Sequence, residues 1–242
     1  MFSNKYIFVY STVLVVVAAV VLSVAAVGLK PFQQKNEEIE KMQQLLSSVG
    51  VNATPDNAEE LYNKYFVAEY GVNAGGKVVN SFVKGKQEQG QDRPFKADMK
   101  KELAKVKAKD ATASMPVFVY EKDGKRNYVV PVVGAGLWGE IWGNIALDED
   151  LSTIVGVNFG HKSETPGLGA EITTPAFQNR FKNKQIFDNG ALSFEIKKRA
   201  DAASPYQVDA ISGATITSTG VSDMIKECLG MYTEYFQTIK NK

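Results

Sequence analysis

The sequence predicts an α+β protein with a single N-terminal transmembrane helix, followed by one soluble domain with an antiparallel β-sheet core and flanking helices. Three observations lead to this prediction. An almost wholly apolar run covers residues 7–29, strand patterns follow one another between residues 116 and 159, and a strong helical pattern lies near the C-terminus. Consecutive strands without βαβ alternation favour an antiparallel sheet. A chain of 242 residues with 44% hydrophobic residues is large enough for one anchored domain.

The apolar run predicts that residues 1–30 form a membrane anchor embedded in lipid. The run has about 23 residues, or roughly 34 Å as a helix, which is enough to cross a bilayer core. Ser23-Val24-Ala25 resembles a signal-peptide cleavage site, so a signal peptide is the alternative. The run is longer than an ordinary signal-peptide core of about 7–15 residues, which favours an uncleaved anchor.

Lysines lie on both sides of the apolar run. Lys5 precedes it, whereas Lys30, Lys35 and Lys41 follow it. Because lysine and arginine accumulate on the cytoplasmic side of a membrane, this count alone weakly favours a cytoplasmic soluble domain.

Residues 31–115 are expected to form a helical prelude and a variable segment. A helix is predicted over residues 31–48, and a second begins with Thr54 as its N-cap and Pro55 at its first position. The apolar face of the second helix is predicted to contain four residues, Leu61, Tyr62, Tyr65 and Phe66. Residues 78–83 predict a strand, and the polar residues 84–93 predict an exposed loop.

Residues 116–242 are predicted to form a β-rich core with a C-terminal helix. Asp123-Gly124 is a hairpin signal between strands at 116–120 and 128–133. A second hairpin is predicted from strands at 142–147 and 154–159. A short helix at 175–181 and a strand at 192–197 are expected to follow.

The C-terminal helix is predicted from apolar residues spaced three or four positions apart. These residues are Val221, Ile225, Cys228, Tyr232, Tyr235 and Ile239. Thr217, Ser218 and Thr219 are the predicted N-cap residues, so residues 212–215 would form the turn before the helix. The free N–H groups of a helix N-terminus favour an anion such as a phosphate. On spacing alone, an ordinary capped helix start explains the same pattern.

Composition excludes several classes of function. The net charge is +1, and there is no basic excess to indicate a nucleic-acid partner. One histidine and one cysteine cannot build a zinc or iron–sulfur site, and no metal site is predicted. Cys228 is expected to be a small buried hydrophobe. A serine hydrolase using Ser212 and His161 is disfavoured, because Ser212 does not lie in a G-x-S-x-G motif.

Residues 209–215, with the sequence D-A-I-S-G-A-T, resemble the D-x-x-(S/T)-G-A-(T/S) motif of proteins that carry covalently attached FMN. The resemblance implies that Thr215 forms a phosphoester with FMN and that Ser212, Gly213 and Ala214 line the attachment point. Residues 164–169, E-T-P-G-L-G, resemble a second signature of this family. Residues 134–139, G-A-G-L-W-G, resemble its glycine-rich strand entry. These three ranges are called the motif segments below.

The resemblance also implies contacts to the flavin ring. The backbone around Glu164, Gly167 and Gly169 would bond the polar edge of the ring, Thr165 would offer a hydroxyl, and Leu168 would pack on the ring face. Trp138 would either stack on the flavin or fill the core, with core packing favoured. His161 is expected to be a structural or surface residue rather than a flavin contact. Glu164 could bond the flavin or brace its own loop.

The family implied is the C subunit of the bacterial Na⁺-translocating NADH:quinone reductase, with the related G subunit of the Rnf complex as the alternative. The resemblance implies an electron relay between the other subunits and a soluble domain on the periplasmic side of the inner membrane. It also implies a separate flavin transferase. No catalytic acid, base or nucleophile is expected, and the chain has no G-x-G-x-x-G that leads from a strand into a helix, which is the fingerprint needed to bind NADH by itself. An anchored binding module without flavin is the other alternative.

Overall fold

The computed structural model describes residues 3–240, and its contacts divide the chain into two compact units, residues 1–41 and residues 42–242. Residues 1 and 2 of the predicted anchor lie outside the described range. Helix α1 (Asn4–Ser48) forms the first unit with its residues before position 42. An 18-residue window of this helix has a mean hydropathy of 2.8 and is not buried at all. By length and composition, α1 can therefore cross a membrane.

The predicted helix boundary at Pro31 is wrong, because α1 runs through this residue without a break. A proline inside a helix removes one hydrogen bond and costs about 3 kcal/mol. Helix formation is cooperative, so a helix that is already nucleated can continue past such a local defect. Residues 42–48 of α1 belong to the second unit, where Met42, Leu45, Leu46 and Ser48 are buried.

The second unit is built on a seven-stranded antiparallel sheet, as predicted. The strands are β1 (Phe66–Val72), β2 (Val78–Val83), β3 (Lys86–Gln89), β4 (Met115–Lys122), β5 (Lys125–Ala135), β6 (Glu140–Leu147) and β7 (Ile154–His161). Their order in the sheet is β3-β2-β1-β4-β5-β6-β7. The predicted hairpins β4–β5 and β6–β7 are both present, and Lys122 pairs with Lys125 across the first turn. Asp123 and Gly124 have φ values of 53° and 77°, which this tight turn requires.

Helices and short strands surround the sheet. The remaining helices are α2 (Ala58–Tyr65), α3 (Met99–Lys107), α4 (Pro175–Gln178) and α5 (Thr215–Lys240), with 3₁₀ turns at Pro94–Lys96, Gly169–Thr173 and Asn179–Phe181. Two small pairs complete the fold, β8 (Phe187–Asp188) with β9 (Ala191–Leu192), and β10 (Glu195–Lys197) parallel to β11 (Gln207–Asp209). The strand predicted over 192–197 is thus divided, and Phe194 between its two parts is fully buried.

The prelude differs from its prediction in three places. Tyr65 ends α2, and Phe66 begins β1 instead of continuing the helical face. The predicted exposed loop contains β3, because its exposed polar residues pair with β2 at the sheet edge. Helix α3, which the sequence did not predict, is capped by Asp98, whose carboxylate accepts hydrogen bonds from the backbone N–H groups of Lys100 and Lys101.

Helix α2 begins at Ala58, so the predicted cap at Thr54 is wrong. The backbone N–H of Thr54 instead donates to Oδ1 of Asn57, and the Thr54 carbonyl accepts from the N–H groups of Asn57 and Ala58. Thr54 therefore belongs to a hydrogen-bonded turn that precedes the helix and does not cap it.

Helix α5 lies against the sheet through the predicted apolar stripe. Val221, Ile225, Cys228, Tyr232 and Tyr235 are buried, while Ile239 is partly buried. A Cβ on Gly134 in β5 would come within 2.7 Å of Cβ of Met224, and one on Gly220 would collide with the backbone carbonyl of Ala135. The first half of α5 therefore approaches the end of β5 very closely, which brings the start of α5 to the 134–139 segment.

Candidate functional site

Helix α5 starts at least three residues earlier than the predicted N-cap residues Thr217, Ser218 and Thr219 imply. The helix begins at Thr215, and the predicted caps Thr217 and Ser218 are only 1% exposed. Ser218 Oγ accepts a 3.0 Å hydrogen bond from the backbone N–H of Ile211, and Thr217 Oγ1 donates to Glu164. Because tertiary contacts use these two hydroxyls, they are not available to cap the helix.

The residue before the helix is Ala214, which has no side chain that can accept a hydrogen bond. The backbone N–H groups of Thr215, Ile216 and Thr217 meet no acceptor among the described residues. Gly213 precedes Ala214 with φ of 78°, which forms the turn into the helix. The helix start therefore presents free N–H donors and the positive end of the helix dipole, the combination that binds anions.

The hydroxyl groups around this helix start differ in exposure. Thr217 and Ser218 are buried, whereas Ser212, Thr215 and Thr219 are exposed. Of the three exposed residues, Thr215 and Thr219 lie on the helix, and Thr215 alone occupies its first position. An exposed hydroxyl at an uncapped helix N-terminus is accessible both to an anion and to a modifying enzyme.

Asp209, the first residue of the 209–215 motif segment, fixes the chain before the turn through hydrogen bonds to other loops. Its Oδ1 accepts a 2.8 Å hydrogen bond from the backbone N–H of Ala200. Arg180 donates from Nη1 to the carbonyl oxygens of Asp209 and Ala210, at 3.0 and 3.5 Å. No sequence pattern pointed to Arg180, because this contact joins residues about thirty positions apart.

The second motif segment folds into a tight irregular loop. The backbone N–H groups of Leu168 and Ala170 both donate to the Thr165 carbonyl at 3.1 Å, and Gly167 has φ of 74°. Leu168 is 42% exposed. A Cβ on Gly213 would lie 3.0 Å from Cδ2 of Leu168, so this side chain lies directly beside the turn that leads to Thr215.

Glu164 joins its own loop to residues 134–139 and to the first turn of α5. Its side chain is only 4% exposed. Oε1 accepts a 2.8 Å hydrogen bond from the backbone N–H of Trp138, and Oε2 accepts a 2.7 Å hydrogen bond from Oγ1 of Thr217. Of the two roles considered for Glu164, these contacts favour bracing of the loops.

His161 makes a structural contact within its own loop. It lies at the end of β7, partly buried, and its Nδ1 accepts a 3.1 Å hydrogen bond from the backbone N–H of Glu164. The nitrogen that accepts carries no proton in this arrangement.

The prediction that Trp138 fills the core is wrong, because its side chain is 65% exposed. Its backbone is held on both sides: the N–H donates to Glu164, and the carbonyl accepts from Ser163 Oγ at 2.7 Å. Gly136 closes the same loop by donating its N–H to the Gly139 carbonyl at 2.7 Å. The fixed loop holds the tryptophan outside the core.

Four exposed apolar side chains accompany the motif segments. They are Leu137, Trp138, Leu168 and Ile216. Within residues 42–240, no other large hydrophobic side chain is exposed. Exposed apolar groups that gather around one site mark a place for a ligand or a partner.

Elsewhere in the described chain we find a cavity but no metal site. A cavity of about 880 Å³ is lined by β1, β2, β5 and the end of α5, including Tyr70, Tyr128 and Tyr235, and it shares no residue with the motif segments. Among residues 3–240, no group of three His, Cys, Asp or Glu side chains is arranged to hold a metal ion.

Comparison with known proteins identifies the family. A family model described as an FMN-binding domain matches residues 136–230. The C subunits of the Na⁺-translocating NADH-quinone reductases of Neisseria meningitidis serogroup A and Pseudomonas aeruginosa are each 31% identical to this chain. These alignments cover 93% and 90% of this chain, and 90% and 88% of the relatives. The chain belongs to this C-subunit family.

Crystal structures of other members share its fold. The C subunit from Parabacteroides distasonis has 39% sequence identity and a TM-score of 0.75, over 86% of this chain and 96% of that chain. The protein from Shewanella oneidensis has 26% identity and a TM-score of 0.67, over 86% of this chain and 100% of that chain. These structures confirm the predicted α+β fold.

Proposed function

We propose that this chain is the electron-relay C subunit of a membrane-bound Na⁺-translocating NADH:quinone reductase and carries FMN through a phosphoester on Thr215. The observation that carries the proposal is the exposed Thr215 hydroxyl at the uncapped start of α5, within a domain that matches the FMN-binding family. Membership of the C-subunit family supports the other subunits of the complex as its partners, in preference to those of an Rnf complex.

The helix start fits a phosphate. The three N–H groups of Thr215, Ile216 and Thr217 have no acceptor among the described residues, so an anion would satisfy donors that the fold leaves open. The exposed Ser212 hydroxyl and the small residues Gly213 and Ala214 allow a ligand to approach the backbone.

Burial supports Thr215 over its neighbours as the attachment point. The Thr217 hydroxyl is buried and bonded to Glu164, and the Ser218 hydroxyl is buried and bonded to Ile211. Attachment at either residue would require opening these contacts. Thr215 is accessible without rearrangement.

The ring of the flavin would lie against the second motif segment. Leu168 is exposed beside Gly213 and offers an apolar surface, while Thr165 and Gly167 are exposed in the same loop. The backbone of Gly169, in the same loop, and the exposed side chain of Trp138 would provide further contacts to the flavin. When bound, FMN supplies the capacity to pass one or two electrons, while the residues of the chain hold and orient it.

No residue of this chain is assigned a catalytic role. The site contains an accessible hydroxyl, free N–H groups and apolar side chains, which suit the retention of a cofactor. Oxidation of NADH and movement of Na⁺ are assigned to other subunits of the complex.

Maturation and topology complete the proposal. A flavin transferase would use FAD as donor: the bond between Thr215 Oγ1 and the FMN phosphorus forms, the pyrophosphate bond breaks, and AMP leaves.

Helix α1 would lie in membrane lipid, with the soluble domain on the periplasmic side of the inner membrane. A large domain can be translocated despite the lysines that flank α1.

The experiment that tests this proposal is mass analysis of the attachment peptide. The full chain is co-expressed with a flavin transferase, denatured and digested, and the peptide that contains residues 212–226 is weighed and fragmented. A mass gain equal to FMN less one water, located on Thr215, is the expected result. An unmodified peptide, with a transferase that is active on a control substrate, would refute the flavin attachment and favour a binding module.

A further inference from the structure

The carboxylate of Glu164 occupies a slot that is closed by two glycines. A Cβ on Gly136 would lie 2.5 Å from Oε1, and a Cβ on Gly169 would collide with Oε2. Each glycine belongs to a different motif segment, so the absence of a side chain at both positions makes room for this one carboxylate. The carboxylate of Glu164 is thus enclosed between residues 134–139 and its own loop.

The buried side chain of Glu164 accepts two hydrogen bonds but forms no ion pair among the described residues. Oε1 accepts a hydrogen bond from the N–H of Trp138, and Oε2 accepts one from the hydroxyl of Thr217. No Lys or Arg side chain among residues 3–240 forms a salt bridge with it. The nearby His161 accepts from the Glu164 backbone through Nδ1 and does not compensate the charge there.

Thr217 connects this carboxylate to the first turn of α5. Thr217 lies two positions after Thr215, and its hydroxyl bond to Glu164 is buried. The loop that begins at Glu164 also carries Leu168, which lies beside Gly213. The one carboxylate therefore fixes both the helix turn that presents Thr215 and the loop that faces it.

We infer that Glu164 is a positioning residue of the flavin site, which orders the first turn of α5 for attachment and contributes a fixed negative charge that lowers the reduction potential of the bound flavin. The inference rests on the proposed attachment of FMN at Thr215. A buried charge in a low-dielectric surrounding acts strongly on a neighbouring group that gains an electron. Two neutral donors reduce this effect without cancelling it.

The test compares variants of the full chain co-expressed with a flavin transferase. Glu164→Gln removes the charge and keeps an acceptor for the Trp138 N–H. Thr217→Val keeps the charge and removes one donor. Thr217→Ser retains the hydroxyl. Glu149→Gln removes an exposed charge from the turn between β6 and β7, which follows the C-terminal end of β6. The last two variants are controls.

Two quantities are measured for each variant. The first is the midpoint potential of the attached flavin, obtained by spectroelectrochemical titration. The second is hydrogen–deuterium exchange of the peptide 211–221 in protein expressed without the transferase, a measurement that needs no flavin.

We expect a more positive potential in Glu164→Gln and an unchanged or more negative potential in Thr217→Val, whose carboxylate has lost a donor. Thr217→Val, which removes the hydroxyl bond to Glu164, should exchange faster than the wild type in peptide 211–221, whereas the amide of Glu164→Gln can donate to the Thr217 hydroxyl and keep this contact. The two controls should match the wild type in both measurements. An unchanged potential in Glu164→Gln, or a positive shift of equal size in both variants, would overturn the electrostatic role.

Loss of flavin from Glu164→Gln would leave the exchange measurement to decide. Wild-type exchange in the unmodified form of Thr217→Val would overturn the positioning role, whereas faster exchange would support it. If the wild type itself takes up no FMN, the proposed function fails. Exchange in Thr217→Val still reports on the positioning role in that case.

Discussion

The hydroxyl of Tyr232 donates a 2.9 Å hydrogen bond to the backbone carbonyl of Pro116, which joins α5 to β4 across the core. Burial raises the pKa of Tyr232 well above its ordinary value, so the group stays protonated and remains a donor. Tyr232→Phe leaves the buried carbonyl without this partner and should lower the free energy of unfolding by about 1–2 kcal/mol. Urea denaturation of the soluble domain measures the change, and an unaltered midpoint would contradict it.

Thr215→Val should abolish covalent flavin without unfolding the domain. The side chain is exposed, so its replacement should change stability by no more than about 0.5 kcal/mol. The measurement is acid-stable flavin fluorescence on a denaturing gel after co-expression with the transferase. Thr219→Val, another exposed threonine of α5, is the matched control and should keep its flavin. Retention of flavin by Thr215→Val would move the attachment to another hydroxyl.

Leu168→Ala should loosen the flavin ring and shift its potential, because the leucine is exposed beside the attachment turn. The loss of an exposed side chain should leave stability almost unchanged. Absorbance spectra and potentiometric titration of the attached flavin provide the measurement. Identical spectra and potentials in the variant and the wild type would remove Leu168 from the site.

Two glycines of α5 should respond in opposite ways to alanine. A Cβ on Gly230 has nothing within 4 Å, so Gly230→Ala should stabilise the protein by about 0.5–1 kcal/mol through helix propensity. A Cβ on Gly220 would collide with the Ala135 carbonyl, so Gly220→Ala should destabilise it by about 1–3 kcal/mol. Thermal unfolding of both variants provides the comparison. A stabilised Gly220→Ala would mean that α5 can move away from β5.

Burial raises the pKa of the Cys228 thiol from 9.0 to about 11. The folded protein therefore holds this proton more tightly than the unfolded chain. The contribution of the protonated Cys228 thiol to the free energy of unfolding is complete below pH 9. It is lost as the pH rises towards 11, and the total loss is about 2–3 kcal/mol. Cys228→Ala lacks this contribution, so the stability gap between the two proteins should narrow over that range. Denaturation at several pH values measures the gap, and a constant gap would refute the prediction.

Local signals predicted the β-core, and non-local contacts account for the errors. The turn at Asp123-Gly124 and the apolar stripe on α5 can be recognised from neighbouring residues. Strand β3 has an exposed polar sequence and exists because it pairs with β2, and Phe66 enters β1 directly after α2. A pattern within one segment cannot reveal either pairing.

In the candidate site, the sequence predicted the position of Thr215, the proposed attachment residue, but not the contacts that support it. The motif around Thr215 identified an exposed hydroxyl at a helix start. The true start of α5 was hidden because the hydroxyl of Thr217 is used by Glu164, which lies 53 positions earlier. The exposure of Trp138 depends on the same distant carboxylate, and the contact of Arg180 with Asp209 depends on the packing of the 3₁₀ turn Asn179–Phe181 against β11.

The alanine before α5 has a consequence for the dynamics of the unmodified chain. A helix start with alanine in place of a capping residue is less stable by about 1 kcal/mol, which increases its local opening roughly fivefold. The buried bond from Thr217 to Glu164 limits this fraying to the residues before Thr217. Local opening of α5 is thus confined to its first residues, which include the proposed attachment residue Thr215, while the domain behind them stays folded.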